Sequence, residues 1–210
     1  MPSPQSSSEL AVLARPALEV APDLLGWHLV HDAPEGRVAI RLTETEAYEG
    51  ADDPASHAYR GPTPRTQVMF ERPGLLYVYR SYGAHWACNV VTGAAGLASA
   101  VLLRAGAVVE GTALAQRRRG LSRDLPDSVS RLARGPGNLA SALGLTGDHY
   151  GLDLLDAASP VRLQRGRRPD VVRTGPRVGI SRAADRPWRF WSADDLTVSA
   201  YRRSPRAPAP

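Results

Sequence analysis

No lysine occurs anywhere in the 210 residues; all 26 basic side chains are arginine. A GC-rich coding sequence produces such a bias, but the bias has a chemical consequence. No side-chain amine is present to form a Schiff base, so imine chemistry is left to the N-terminal amine alone. Cysteine is almost as scarce. The lone Cys88 cannot form an internal disulfide, so cysteine usage gives no sign of an oxidising compartment. No run approaches the roughly 18 apolar residues that a membrane-spanning helix needs. The opening Met1-Pro-Ser-Pro-Gln-Ser-Ser-Ser8 has neither the basic nor the apolar part of a secretory leader. These absences predict a cytoplasmic protein without membrane attachment.

What is present suffices for a folded domain. Hydrophobic residues make up 43% of the chain, enough for a buried core, and 210 residues are most simply one domain. The formal charge of +5 suits a polyanionic partner without requiring one. Residues 1–8, rich in Ser and Pro, and the basic, Pro-rich residues 202–210 are expected to be disordered tails around a single domain over 9–201.

Within that domain the apolar residues between Glu9 and Leu25 fall at helical spacing, and Pro22-Asp23 reads as the first turn of a short helix that Gly26 ends. Residues 27–31 and 37–43 alternate apolar and polar around Asp32–Gly36, the pattern of a β-hairpin whose second strand delivers Glu44 and Glu46. Residues 49–66 are rich in Gly, Pro, Asp and Ser, a long loop of the kind that often carries function. Leu75–Arg80 and His85–Val91 form a second hairpin around Ser81–Ala84. A strand over 100–104, a helix over 111–119 and a helix opened by Gly135-Pro-Gly-Asn138 and running to Gly144 follow. Short strands are expected at 152–156, 161–164, 176–180 and 187–191. Strands outnumber crossover helices and arrive mostly as hairpins, which predicts an α+β fold with an antiparallel sheet.

The span from Glu44 to Asn89 concentrates the chemistry. Tyr48, His57 and Tyr79 could sandwich a flat ligand, and stacking on a base is worth roughly 1–3 kcal/mol. The plainer account makes them ordinary strand aromatics. Glu46 lies two residues before Tyr48, so both point to one face of an extended strand, where a carboxylate beside an aromatic wall can serve as general base. A solvent-facing strand end is the plainer account here. Glu44, Glu46, Asp52 and Asp53 with His57 invite a metal reading, but their spacing follows no rigid ligand pattern. Tyr82 at a hairpin tip could wedge into a base stack or simply be a turn residue. His28 and His31 read as structural or exposed.

Taken together, Glu44-Thr-Glu-Ala-Tyr48, Asp53-Pro-Ala-Ser-His57, Thr63-Pro-Arg65, Pro73-Gly74, Leu76-Tyr-Val-Tyr79, Tyr82-Gly83, Asn89-Val-Val91 and Val101-Leu-Leu-Arg104 resemble the alkyladenine (3-methyladenine) DNA glycosylase family. Gly135-Pro-Gly137 and Pro176-Arg-Val-Gly-Ile180 fit as well, and the resemblance covers about residues 20–190. It implies a curved antiparallel β-sheet with flanking helices and a protruding hairpin. It also implies base excision without metal or cofactor: a damaged purine of the 3-methyladenine, 7-methylguanine, hypoxanthine or ethenoadenine class is flipped from double-stranded DNA and its N-glycosidic bond hydrolysed. Under this resemblance Glu46 is the general base and Arg104 its partner. Tyr48, His57 and Tyr79 wall the base pocket, Asn89 guards it against guanine, and Tyr82 fills the gap in the stack. Arg65, Gly135 and Gly137 are candidate contacts to the DNA backbone, the glycines because N–H groups at a helix start bind anions. Ala84 departs from the family pattern, where a bulkier apolar residue is expected. The missing lysines argue independently for a monofunctional enzyme, expected to act as a monomer. Two other readings use the same residues: a non-catalytic DNA-binding module with the Tyr82 wedge, and a metal-dependent nuclease built on Glu44, Asp52, Asp53 and His57.

Overall fold

Two helices open the chain in the computed structural model, which describes residues 4–81, 83–121 and 128–209. They are α1 (Pro4–Leu13) and α2 (Ala17–Asp23). Residues 4–8 are therefore helical where composition predicts a tail; Leu13, fully buried in the core, anchors the helix at its far end. Pro22 sits inside the last turn of α2 rather than opening a helix of its own. A proline that close to the end forfeits one ladder bond. Buried Ala17, Val20 and Ala21 supply the packing that offsets it, and Ser99 Oγ accepts from the Ala17 N–H of the first turn at 3.0 Å.

The strands that follow are β1 (His28–Ala33), β2 (Gly36–Glu49), β3 (Leu76–Ser81), β4 (His85–Val91) and β5 (Ser99–Glu110). Then come α3 (Thr112–Arg119), α4 (Ser128–Arg131), β6 (Ala133–Arg134), α5 (Pro136–Leu143), β7 (Val161–Gln164), β8 (Val172–Gly175) and β9 (Arg189–Ser192). Among the described residues the sheet runs β3-β4-β5-β2-β1-β7, with β6 added to β5, β9 to β2 and β8 to β9. Every one of those pairings is antiparallel, as the succession of hairpins predicts.

β2 carries the curl of this sheet. One half pairs with β1 up to Arg41, the other pairs with β9 over Glu44–Glu46, and all three register shifts against β5 fall between Ala39 and Thr45. Bulges of this kind bend a strand and raise its twist. Gly106 of β5 lies hard against β2: a Cβ there would sit 2.4 Å from Ile40 Cγ2 and 2.5 Å from the Arg41 carbonyl oxygen. Only glycine permits that approach. The main core unites α2, α3 and α5 with this sheet through Val20, Leu29, Ile40, Leu103, Leu114 and Leu139. A smaller cluster of Ala58, Val68, Met69, Tyr77, Val91, Ala98 and Ala100 lies under the long loop. That loop is thus pinned, with a 3₁₀ turn at Gln67–Phe70 carrying Val68 and Met69 inward.

Two of the short strands expected from the sequence are absent. Residues 152–156 form turns, touching β3 through Leu76 N–H to Leu152 O and one bridge at Leu75 and Asp153. Residues 176–180 are irregular because Arg177 and the Val178 N–H are engaged by carboxylates instead of a strand ladder. β8, just before them, is the strand that forms. Residues 193–209 contain no helix or strand, yet part of the basic C-terminal stretch is docked: the Arg202 carbonyl accepts from Gly179 N–H and Arg203 pairs with Asp185. His31 is buried with Nδ1 2.7 Å from the Leu143 carbonyl, a structural placement.

Candidate active site

β2 and β5 bring acid and base together. Glu44 and Glu46, two residues apart, share one face of β2. Opposite them the ladder pairs Glu44 with Ala105 and Thr45 with Leu103, so Arg104 has no partner on β2. An extra residue in a ladder re-aims its side chain, and here the guanidinium turns onto the acids. Arg104 Nε donates to Glu44 Oε1 at 2.9 Å, and Nη1 lies 3.4 Å from Glu46 Oε1. Both glutamates are fully buried and Arg104 is 7% exposed. Desolvation works against the Arg104 charge, but Glu46 and Glu44 outweigh it and hold its pKa above the ordinary value.

The Glu46 carboxylate is fixed at both oxygens. Tyr48 O–H donates to Oε2 at 2.8 Å and the Val178 N–H to Oε1 at 2.7 Å. The segment that supplies Val178 is held by its neighbour Arg177. That fully buried guanidinium forks onto Asp53 at 2.5 and 2.8 Å and donates to the Ala47 carbonyl at 2.9 Å. It also lies 4.5 Å from the centre of the Tyr48 ring and 5.0 Å from that of Trp188.

These contacts correct the metal reading of the acids. Asp53 is the counter-ion of Arg177, and Glu44 answers Arg104 and Arg189. Asp52 is exposed, with its backbone carbonyl accepting from Arg186. Among the described residues no three His, Cys, Asp or Glu side chains converge as metal ligands would.

A cavity of about 430 Å³ opens in front of this assembly, walled by Tyr48, His57, Tyr77, Tyr79, Asn89 and Arg104 and closed on one side by Val178–Ile180. Such a volume suits a small ligand. His57 stands edge-on to Tyr79, with centroids 4.6 Å apart at 86°, and Tyr77 lies 5.4 Å from Tyr79. His57 Nδ1 is 3.0 Å from the Tyr77 hydroxyl oxygen. Asn89 is buried and its amide donates to the Tyr77 carbonyl at 3.2 Å, which fixes the side chain at the back of the cup. Glu46 does not line the cavity; it lies behind the wall and reaches it through Tyr48 and Arg104.

The rings of the cup are neutral near pH 7. Burial, with the nearby Glu46 charge, pushes the Tyr48 pKa well above its ordinary value, and burial does the same to Tyr79. His57 keeps solvent on its outer side, yet desolvation of its inner side and the nearby Arg65 charge push it down to about 4. Arg65 itself is exposed, with its guanidinium 5.1 Å from the centre of the Tyr79 ring at the cavity edge. Gly135 caps α5 with φ +96°, and Pro136 at its first turn lines the cavity. A Cβ on Gly137 would meet His85 Cβ at 3.0 Å, so α5 starts hard against the β3–β4 hairpin. Tyr82, the expected wedge between Ser81 and Gly83 in the sequence, lies outside the described residues; Gly83 and Ala84 are exposed.

Glu46, Arg104, Tyr48, His57, Tyr79 and Asn89 are thus brought to one place, with Arg65 and the start of α5 at its rim. The sequence reading missed Tyr77, Arg177, Val178, Arg189 and Ser199. The first carried a usable signal, since two residues before Tyr79 on a strand means the same face. Arg189 comes from β9 and the rest from irregular segments, and no spacing along the chain connects any of them to β2.

The family model for methylpurine-DNA glycosylase matches residues 11–196. A protein of Mycolicibacterium fortuitum is 55% identical over 193 residues, covering 89% of this chain and 94% of that one; it bears the name "Putative 3-methyladenine DNA glycosylase". Proteins of the same name from Nocardia farcinica and Frankia casuarinae are 53% and 51% identical, covering 82% and 92% of this chain and 83% and 92% of their own lengths. Matches of this extent take in both hairpins, the pinned loop and the Arg177 segment. The chain belongs to the methylpurine-DNA glycosylase family.

Proposed function

We propose that the protein is a monofunctional DNA glycosylase that takes an alkylated or deaminated purine, everted from duplex DNA, into the aromatic cup and hydrolyses its N-glycosidic bond. The observation that carries this reading is the fully buried Glu46 carboxylate behind a cup of neutral rings, with Tyr48 O–H and Arg104 between it and the cavity.

The chemistry follows from what must be stabilised. An alkylated purine is already cationic and departs easily, so the site chiefly stabilises an oxocarbenium-like sugar and supplies water. Glu46 does both, by charge and as the base that takes a proton from the attacking water. Arg104, hydrogen-bonded to Glu44 and ion-paired with Glu46, holds that carboxylate and the water site in line. The π faces of Tyr48 and Tyr79 favour an electron-poor base, and neutral His57 adds no opposing charge. Asn89, fixed by its bond to the Tyr77 carbonyl, presents an amide against guanine's exocyclic amino group. Neutral lesions such as hypoxanthine need protonation of the leaving base in addition. Tyr82 is proposed as the side chain that fills the vacated stack. With no lysine in the chain and the N-terminal amine as the one amine left for imine chemistry, the product expected is an abasic site in an unbroken strand.

The test is a duplex holding one hypoxanthine or ethenoadenine, incubated with the protein in EDTA and then treated with alkali. Breaks at the lesion are expected only after alkali. Breaks before alkali would overturn the monofunctional mechanism, and no release of base would overturn the reading as a whole.

A further inference from the structure

The family match ends at residue 196, yet the chain beyond it reaches the charged centre of the site. Ser199 is half-buried beside Glu44 and makes four bonds there. Its N–H donates to Glu44 Oε2 at 2.7 Å and its hydroxyl to Glu44 Oε1 at 2.9 Å. The same Oγ accepts from Arg104 Nη2 at 3.2 Å, and the Ser199 carbonyl accepts from Arg189 Nη2 at 2.7 Å. A hydroxyl has one proton to give and lone pairs to receive, so donation to the glutamate and acceptance from the arginine are compatible. Arg189 closes the ring by donating Nε to Glu44 Oε1 at 2.7 Å.

We infer that Ser199, on the docked C-terminal segment, is a positioning residue for Arg104. Arg104 stands between two carboxylates, and its distances are unequal: 2.9 Å to Glu44 and 3.4 Å to Glu46. Two acids competing for one guanidinium leave its placement open unless something holds both the guanidinium and the nearer acid. Ser199 does so, occupying Nη2 of Arg104 while it and Arg189 share the charge of Glu44. Nη1 is then left turned to Glu46 and the cavity. The segment that carries Ser199 is itself tied to β2, by Arg41 to Asp195 at 3.0 Å and by the Thr43 and Thr197 hydroxyls at 2.7 Å. Residues 195–199 therefore run alongside β2 and end against its acids.

This inference rests on the glycosylase reading, and one set of assays separates the two. Ser199→Ala is expected to lower the single-turnover excision rate about 10-fold, the size of one lost hydrogen bond to a charged group. Its affinity for lesion DNA is expected to stay near that of the wild type, with its melting temperature lowered by only a few degrees. Ser199→Thr, which restores the hydroxyl, is expected to recover most of the rate. Should Ser199→Ala not fold, Ser199→Cys keeps the volume while offering a poor acceptor, and the same split is expected of it. An unchanged rate in Ser199→Ala, or a rate that falls only in step with affinity and stability and is not recovered by Ser199→Thr, overturns the positioning role. A wild-type protein that releases no base overturns the glycosylase reading and this inference with it.

Discussion

Glu46→Gln keeps the shape of the side chain but removes the charge and proton affinity that the mechanism asks of it. Excision is expected to fall about 100- to 10,000-fold, the usual range for a lost general base, while lesion DNA is still bound; single-turnover kinetics beside a binding isotherm check both. A non-catalytic DNA-binding module would show no such split. Asp53→Asn leaves Arg177 buried without its counter-charge, and breaking a pair of that kind costs about 3–5 kcal/mol. Chemical denaturation reads that loss directly. His57 gives a prediction in pH. Its folded pKa of about 4 lies below the ordinary 6.5, so between those values the unfolded chain binds the extra proton. Its contribution to stability is complete above pH 6.5 and is lost as pH falls towards 4. An imidazole titrating near 6.5 in the folded protein, followed by NMR, would contradict this.

At the scale of elements, the hairpins were legible because alternation survives where one face of a strand is buried. The bulges were not. Nothing in Leu103-Arg104-Ala105 marks Arg104 as the residue that slips out of the ladder, because a bulge is a property of two strands and not of one. The strands at 152–156 and 176–180 failed for a related reason: short apolar runs there make contacts one bond at a time, to β3 and to Asp53 and Glu46. Gly106 tests the curl. Gly106→Ala places a Cβ against Ile40 and the Arg41 carbonyl. It is expected to lower stability by about 1–3 kcal/mol, the cost of overpacking a tight contact, and to lower excision as well because Arg104 lies two residues away. A melting temperature equal to that of the wild type would show that β2 and β5 can part without cost.

For the whole molecule, the count of 26 arginines overstates the free positive surface, while the net charge of +5 is the same with or without the buried pairs. Arg104, Arg177 and Arg189 are spent on buried acids, whereas Arg65 stands exposed at the cavity rim. Binding to undamaged duplex is expected to weaken steeply between 50 and 200 mM salt, with a log–log slope of about −0.9 per phosphate contacted. Arg65→Ala is expected to reduce that slope by about one, with little change in the single-turnover rate at saturation. No helix among the described residues is long and apolar enough to cross a membrane.

Residue order alone settled the antiparallel hairpins, the family and most of the cup, because strand periodicity and the Glu44–Asn89 motifs are local and act through neighbours along the chain. The pairing of Asp53 with Arg177, the turn of Arg104 onto two acids and the arrival of Ser199 at Glu44 join segments 60 to 155 residues apart. Such contacts exist only once the sheet has curled and the C-terminal segment has docked, since burial is what makes a carboxylate and a guanidinium seek each other so strictly.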